Sequence, residues 1–487
     1  MRVDRKKKEK MDKKKMYLNI HYFLLGLYVI ITALFSITLV RLNILPMVYL
    51  LAVIVVLAGI SIPIIKGLIK NSRSNLIGKK KITASSILAI IMIFVLSFGT
   101  FYLGGTLDFF GTISGDRQVQ NYYVVVNADS EYTKIKDIKG QNVGLMDQTT
   151  DEYEDAKTKL KKKVDVEYEI VGNYDVLASS LLYEEYEVIF LNSAYYEMAI
   201  EEVDGFTEDT TSILEEITVV TKLESNKKSV DVTKDSFNIY VSGIDTSGSI
   251  GNISRSDVNM IVTVNPVTKT ILLTSIPRDY YVELGTIGEY DKLTHSGLYG
   301  IDETTATIEK LFDIDINYFA RVNFTTLVNL VDALGGITVE SDYSFSKNGY
   351  DFVAGENYLD GNAALTFARE RYSFVSGDNQ RVKNQQAVIS GIIRKVTGST
   401  AILTSYNSIL NSLENNFQTS LTQKEITSLV KMQLGDMRSW NIEQQSVVGS
   451  GDMIPVYSIP HMNVYVMHPD QSSVAEATQN IQAVADN

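Results

Sequence analysis

The chain has 487 residues, with 45 Lys and Arg against 58 Asp and Glu, no Cys, one Trp and 28 Tyr. That length accommodates two to four domains of about 100 to 200 residues, and the lack of Cys excludes a disulfide scaffold, a Cys-ligated zinc and a thiol nucleophile. The net charge of -13 averages two unlike regions: residues 1–82 hold 16 basic and 3 acidic residues, which leaves 29 against 55 for residues 83–487.

The basic part carries three uncharged runs, of 19 residues between His21 and Arg41, 24 between Arg41 and Lys66, and 26 between Lys81 and Asp108. Each is long enough to cross a hydrocarbon core of about 30 Å as a helix rising about 1.5 Å per residue. Runs such as "LLAVIVVLAGISIPII" are apolar all round, which a buried amphipathic helix is not. A cleaved signal peptide fits poorly, because two further hydrophobic spans follow the first. Nine Lys/Arg precede His21 and six follow the second span, whereas the turn between the first two spans has only Arg41. Positive charge marks the cytoplasmic side. The reading is therefore a basic cytoplasmic tail at 1–20, three transmembrane helices at 21–107, and an extracellular body after about residue 108. ATP is scarce there, and a nucleic-acid partner is excluded.

From Tyr122 to about Leu223, strand-like runs ("YYVVV", "NVGLM", "VDVEYEIV", "YEVIFL") alternate with helix-like ones ("DEYEDAKTKLKKK", "YDVLASSLLYE"), which predicts a small α/β accessory domain at 112–225. A structural or docking role is favoured for it. "TKLESNKKSVDVTKD" is polar without periodicity and gives a linker, placed at 226–236. A second α/β unit at 237–400 begins with the strand "FNIYVSGID" and a hairpin around the Asn-Pro turn of "VNMIVTVNPVTKTILLTSI". Its polar residues gather at strand ends, where open α/β sheets bind ligands. The C-terminal part, 401–487, carries no usable motif and ends in a predicted helix.

Four clusters carry the chemistry. In "GIDTSGSIGNISRSDVN", Asp245 and Asp257 flank a flexible segment, with Arg255 beside them; two carboxylates at neighbouring strand ends suit a hard cation such as Mg²⁺ or Mn²⁺ that keeps waters and takes phosphate oxygens. Alternatively they are turn caps. In "SIPRDYY", Pro277 positions Arg278, and Asp279 can orient its guanidinium. "DKLTHSGLYG" offers Lys292 and His295, which either hold an anion or are merely solvated. In "TFARERYSFVSGDNQRVKNQQ", Arg369 and Arg371 cannot share a helix face, so a helix ends there or the pair straddles a phosphate. Asp378, Arg381 and Gln385 share one face of the following helix. Three arginines within 13 residues of an acidic domain, with forks suited to bidentate phosphate recognition, point to a polyanion.

Together with "DKLTHSGLYG", "LVDALGGITVE" and "LDGNAALTFARERY", these segments resemble the LytR-CpsA-Psr family of Gram-positive bacteria over about residues 235–400, in the family's order. The three spans and the accessory domain look like the CpsA-type members of streptococcal capsule loci. The resemblance implies a phosphotransferase that moves a capsular polysaccharide from an undecaprenyl-pyrophosphate carrier to peptidoglycan through a phosphodiester. By the same resemblance Asp245 and Asp257 match metal-site aspartates, Arg255, Arg278, Arg369, Arg371, Arg381 and Gln385 match pyrophosphate contacts, and Asp378 matches the acidic member of the last motif. Lys292-Leu293-Thr294-His295-Ser296 departs from the usual Lys-Ile-Asn-His-Ala, while keeping Lys292 as a pyrophosphate candidate. Asp257, Arg278, Arg371 and Asp378 are the candidate catalytic residues, with Asp378 and Asp257 both open as general base. The polyprenyl tail calls for an apolar tunnel, lined from "TTLVNLVDAL", "ATIEKLF" and "AVISGIIRKV". Two other functions stay open: a lipid-pyrophosphate hydrolase, and a non-catalytic regulator or scaffold of capsule synthesis that signals to a capsule kinase or polymerase.

Overall fold

The computed structural model describes residues 2–73, 81–113, 117–222, 228–244, 250, 253–375, 377–398, 406–413 and 417–486. They fall into two compact units, one of Met1–Gly111 with Gln423–Met437, the other of Thr112–Thr422 with Arg438–Asn487.

The first unit is built on α1 (Arg2–Leu42), α2 (Met47–Arg73) and α3 (Lys81–Ile113). Their apolar windows, Asn19–Leu42, Met47–Lys70 and Ala84–Gly104, are 24, 24 and 21 residues long, each sufficient to cross a bilayer. α1 starts at Arg2, so the basic tail and the first span are one continuous helix. Lipid offers no hydrophobic drive for helix association, so small residues and polar pairs do that work. The Tyr28 hydroxyl meets Ser61 Oγ at 2.7 Å, and a Cβ on Gly99 would lie 2.7 Å from the Phe35 ring.

The second unit holds two sheets. The accessory sheet consists of β1 (Arg117–Asn127), β2 (Asn142–Met146), β3 (Glu167–Gly172), β4 (Val188–Asn192) and β5 (Thr211–Lys222), in the order β3-β2-β4-β1-β5. β2 runs parallel to β3 and β4, while β1 is antiparallel to β4 and β5. Helices α4 (Asp151–Lys163), α5 (Tyr174–Leu182) and α6 (Ser193–Glu202) connect them.

The larger sheet starts with β6 (Phe237–Ile244), β7 (Val258–Asn265) and β8 (Thr270–Ile276), an antiparallel meander whose β7–β8 turn is the predicted Asn-Pro hairpin. The chain continues through β9 (Tyr281–Glu283), β10 (Tyr290–Lys292), α7 (Leu293–Ser296), α8 (Ile301–Phe312), β11 (Tyr318–Asn323), α9 (Phe324–Ala333), β12 (Ile337–Ser341), β13 (Phe345–Lys347), β14 (Tyr350–Phe352), β15 (Gly355–Leu359), α10 (Gly361–Arg369) and α11 (Asp378–Gly398). Beyond residue 400 come β16 (Phe417–Thr419), β17 (Asn441–Ser446), β18 (Gly449–Val456), β19 (Ile459–Pro469) and the predicted terminal helix, Gln471–Asp486. The sheet order is β16-β11-β6-β7-β8-β17, so both edge strands come from the segment in which the sequence shows no motif.

β7 is buried along nearly its whole length, as a strand covered on both faces must be. One face packs Tyr240, Ile261 and Leu272 against α8 and the terminal helix through Ile308, Phe312, Val474 and Ile481. Over the other face lie α9, α10 and α11, packed through Val331, Phe367 and Val388. The accessory core is continuous with Ile253, Leu298, Val456, Ile459, Val464 and Val466 of the larger domain, which is a docked arrangement. The described part of the linker, 228–236, is pinned rather than loose: Lys228 Nζ lies 3.0 Å from Glu309 Oε1 and 2.5 Å from Asp315 Oδ1.

Candidate active site

The site lies where β6 and β8 end and β7 begins, beneath the starts of α9 and α11. Asp257 immediately precedes β7 and Arg278 follows β8, so the meander brings the two ends side by side. Arg278 Nη1 donates to Asp257 Oδ1 at 2.8 Å, and its Nε lies 3.6 Å from Asp279 Oδ2. Lys292 Nζ lies 3.4 Å from the other Asp279 oxygen, so Asp279 holds two cations at once. Burial alone would lower the Arg278 pKa, but Asp257 and Asp279 outweigh it and hold the guanidinium above its ordinary value.

α10 ends at Arg369, and Glu370 takes an extended conformation, so Arg371 leaves in a new direction, as the two-residue spacing predicts. The Arg369 guanidinium sits 4.2 Å from the Phe324 ring centroid, and Arg371 lies over Tyr372 at 4.6 Å. Glu370 turns away from both: its carboxylate accepts from Lys347 Nζ at 3.0 Å and from the Ser373 amide at 2.7 Å. α11 begins at Asp378, which accepts from Arg381 Nη2 at 2.5 Å. Burial lowers the Arg381 pKa, opposed by Asp378 and reinforced by the like charges of Arg278 and Arg371. Asp257, Arg278, Arg371, Asp378 and Arg381 are thus close enough for their charges to act on one another.

Two buried donors in this cluster, Arg278 Nε and Arg381 Nε, have no hydrogen-bond acceptor among the described residues. Buried N–H groups are paired in the great majority of cases. Arg278 Nε faces the Asp279 carboxylate at 3.6 Å, beyond hydrogen-bond reach, so both guanidinium groups keep an N–H able to donate to a further anion.

Beside the cluster is an apolar cavity of about 100 Å³, bounded by Val241, Gly243, Val258 and Val322 of the sheet and by Phe324, Leu327, Leu365, Val388 and Ile389 of the three helices. Asp257, Arg369 and Gln385 stand in its wall and give it a polar rim. Gly243 is required here: a Cβ on it would fall 2.7 Å from the Val258 side chain. At about 100 Å³ this cavity is smaller than the roughly 150 Å³ that admits benzene. Of the three predicted lining segments, "TTLVNLVDAL" and "AVISGIIRKV" contribute, whereas "ATIEKLF" packs Ile308 and Phe312 into the core on the opposite face of the sheet.

Two expectations meet a different arrangement. Arg255 matches a pyrophosphate contact by resemblance, but its Nη1 and Nη2 donate to the two Glu201 oxygens of α6 at 2.7 and 2.5 Å. Burial pulls the Arg255 pKa down, yet Glu201 more than offsets this and the net shift is upward; Arg255 in turn holds the Glu201 carboxyl below its usual range. Glu201 lies 54 positions away in another domain, and no local sequence signal links the two. His295 is buried rather than solvated: its Nδ1 meets Asp291 Oδ1 and Ser458 Oγ, each at 2.8 Å. Phe324 and Tyr372, the rings under the two arginines, escaped the sequence reading because aromatics following an N-cap Asn or an Arg carry no motif of their own.

Asp245 lies outside the described residues. Among the described residues no three Asp, Glu or His gather as a metal set. Asp257 commits one oxygen to Arg278 and sits at the rim of the anion site. Among the described residues this leaves the second Asp257 oxygen as the one candidate cation ligand of the pair.

A family model described as the LytR_cpsA_psr family matches residues 205–483. The chain belongs to that family. The matched segment contains every site residue above and the two edge strands that lie past residue 400. The polyisoprenyl-teichoic acid–peptidoglycan teichoic acid transferase TagU of Bacillus subtilis (strain 168) is 33% identical over 264 residues, 54% of this chain and 82% of the relative. The protein of the same name from Enterococcus faecalis is 35% identical over 235 residues, 47% of this chain and 76% of the relative. The crystal structure of B. subtilis TagU is 32% identical and covers 52% of this chain and 98% of its own, with a TM-score of 0.42.

Proposed function

We propose that this protein is a glycopolymer transferase that moves a capsular polysaccharide from an undecaprenyl-pyrophosphate carrier to peptidoglycan, acting on the outer face of the membrane as a CpsA-type member of its family. The observation that carries this reading is the pair of buried, unaccepted Nε–H groups of Arg278 and Arg381 beside an apolar cavity rimmed by Asp257, Arg369 and Gln385. Such a site suits a diphosphate joined to a hydrocarbon tail. No nucleotide is needed.

The peptidoglycan hydroxyl oxygen attacks the phosphorus that bears the polymer. A new O–P bond forms, the bond from that phosphorus to the bridging oxygen breaks, and the lipid monophosphate leaves with the electron pair. The hydroxyl proton passes to a carboxylate, Asp378 or Asp257. Charge that builds on the non-bridging and leaving oxygens is met by Arg278, Arg371 and Arg381, whose orientation is already set by Asp257, Asp279, Tyr372 and Asp378. Arg369, held on Phe324, stands where the diphosphate meets the tail. Mg²⁺, bound by Asp257 with Asp245, would add a further positive charge on the phosphate oxygens.

The experiment supplies the full-length protein with a lipid-pyrophosphate oligosaccharide, Mg²⁺ and peptidoglycan fragments, and follows polymer–muropeptide adduct and released lipid phosphate. Arg371→Ala is expected to lower adduct formation by about 10² to 10³. Equal product from wild type and variant rejects the transferase, and free phosphorylated sugar as the only product indicates the hydrolase.

A further inference from the structure

α11 has two differently furnished sides. Arg381, Gln385, Val388 and Ile389 follow one another toward the anion cluster and the apolar cavity, whereas Asn379, Lys383, Ala387, Ser390 and Arg394 line a separate groove of about 920 Å³ with polar and apolar walls in near-equal measure. Its facing walls are the β12 end with Asp342 and Tyr343, and strand β17 with Gln444 and Gln445. Asp378, the first residue of α11, belongs to the groove's lining and also holds Arg381 of the anion cluster.

We infer that this groove seats the acceptor, a glycan strand of N-acetylated amino sugars carrying peptide carboxylates, and that Asp378 is the base that takes the proton from its hydroxyl. The inference rests on the transferase reading above. In-line displacement requires the attacking oxygen and the leaving oxygen on opposite sides of the phosphorus. The leaving lipid phosphate belongs to the apolar side of α11, so the acceptor enters from the other side, and the groove lies there. Its chemistry suits a sugar: amide and hydroxyl side chains held in place by each other, as Gln444 Nε2 donates to Ser390 Oγ at 2.7 Å and Gln386 Nε2 to the Gln445 carbonyl at 2.6 Å. Tyr343 offers an exposed ring at the rim; Arg394 is an exposed cation for the peptide carboxylates, and exposed Lys383, whose Nζ lies 3.4 Å from Asp342 of the facing wall, is a second that can exchange that partner. From Asp378 to Arg394 the helix runs about 24 Å at about 1.5 Å per residue, which suits a strand rather than one sugar. Between the two carboxylates that the sequence leaves open as base, Asp378 alone lines the groove, while Asp257 lines the cavity.

The test uses the full-length protein in lipid nanodiscs. Glycan strands released from peptidoglycan are titrated calorimetrically without donor, in parallel with free oligosaccharide of the transferred polymer. Wild type is compared with the exposed-residue triple variant Asn379→Ala, Lys383→Ala, Arg394→Ala, and with Tyr343→Ala. The expected result is at least tenfold weaker binding of the peptidoglycan strand by the triple variant, a matching rise in acceptor KM, and donor affinity within twofold of wild type. Equal strand affinity in wild type and both variants, or binding of the polymer oligosaccharide alone, overturns the assignment. Strand binding that the variants abolish, in a wild type that transfers nothing, keeps the groove and rejects the transferase reading instead.

Discussion

Arg255 and Arg278 differ in what occupies their nitrogens, and that difference ranks them. Both Nη groups of Arg255 are engaged by Glu201, whereas Arg278 keeps a buried Nε–H without an acceptor. Arg278→Ala is therefore expected to reduce transfer by about 10² to 10³, and Arg255→Ala by less than tenfold, with the larger effect of Arg255→Ala on thermal stability; steady-state rates and melting curves of both variants decide it. Glu370 gives a pH-dependent counterpart. Its burial raises its pKa, but Lys347 and Ser373 prevail and hold it below the ordinary glutamate value. A depressed carboxylate contributes stability above its unfolded pKa, about 4.3, and loses it as the pH falls through the folded value. Glu370→Gln should therefore cost about 1 to 3 kcal/mol at pH 6, and the gap from wild type should close below about pH 4 in melting curves taken across that range. At this scale the sequence was informative where charges are clustered along the chain. The i, i+3, i+7 spacing of Asp378, Arg381 and Gln385 placed them on one helix face. Partners brought in by tertiary folding, Glu201 for Arg255 and Phe324 for Arg369, left no local trace.

Strands and helices were legible where hydrophobic periodicity and turn chemistry coincide, as in the β6–β8 meander and its Asn-Pro turn. β16 and β17 were not legible: β16 has three residues, and β17, "NIEQQS", is an exposed polar edge strand whose place is set by its parallel pairing with β8. Tunnel lining was half legible, because an apolar stripe on a helix looks the same whether it faces a core or a cavity; α8 proved to be core. The cavity between the sheet and α9, α10 and α11 leads to a prediction about those elements. At about 100 Å³ it is too small for a long prenyl chain, so the proposed function requires its helical walls to part for the tail. Filling it with an indole at Leu365→Trp opposes that entry while leaving the arginines in place. The expected outcome is at least a tenfold rise in KM for a long-chain donor, a smaller rise for a donor with a short prenyl group, and an acceptor KM unchanged. Equal effects on long and short donors would mean that the cavity does not take the tail.

At the scale of the whole molecule, the Lys and Arg near the ends of the three apolar helices predict an orientation, because such residues are retained on the cytoplasmic side. Nine basic residues precede His21, and six lie between the second and third spans, against Arg41 alone in the connection between the first two. With three helices long and apolar enough to cross a membrane, the orientation to test is the one with the N-terminus inside and the residues after about 108 outside. The chain has no Cys, so single cysteines report position without background. Asn43→Cys lies between α1 and α2, Ser130→Cys in the turn after β1, and Lys8→Cys in the basic start of α1. On intact cells stripped of outer wall polymers, a membrane-impermeant maleimide is expected to label Asn43→Cys and Ser130→Cys, and to label Lys8→Cys only after permeabilisation. Labelling of Lys8→Cys on intact cells with protection of Ser130→Cys would place the arginine cluster in the cytoplasm, away from any peptidoglycan acceptor, and the transferase reading would fall with it.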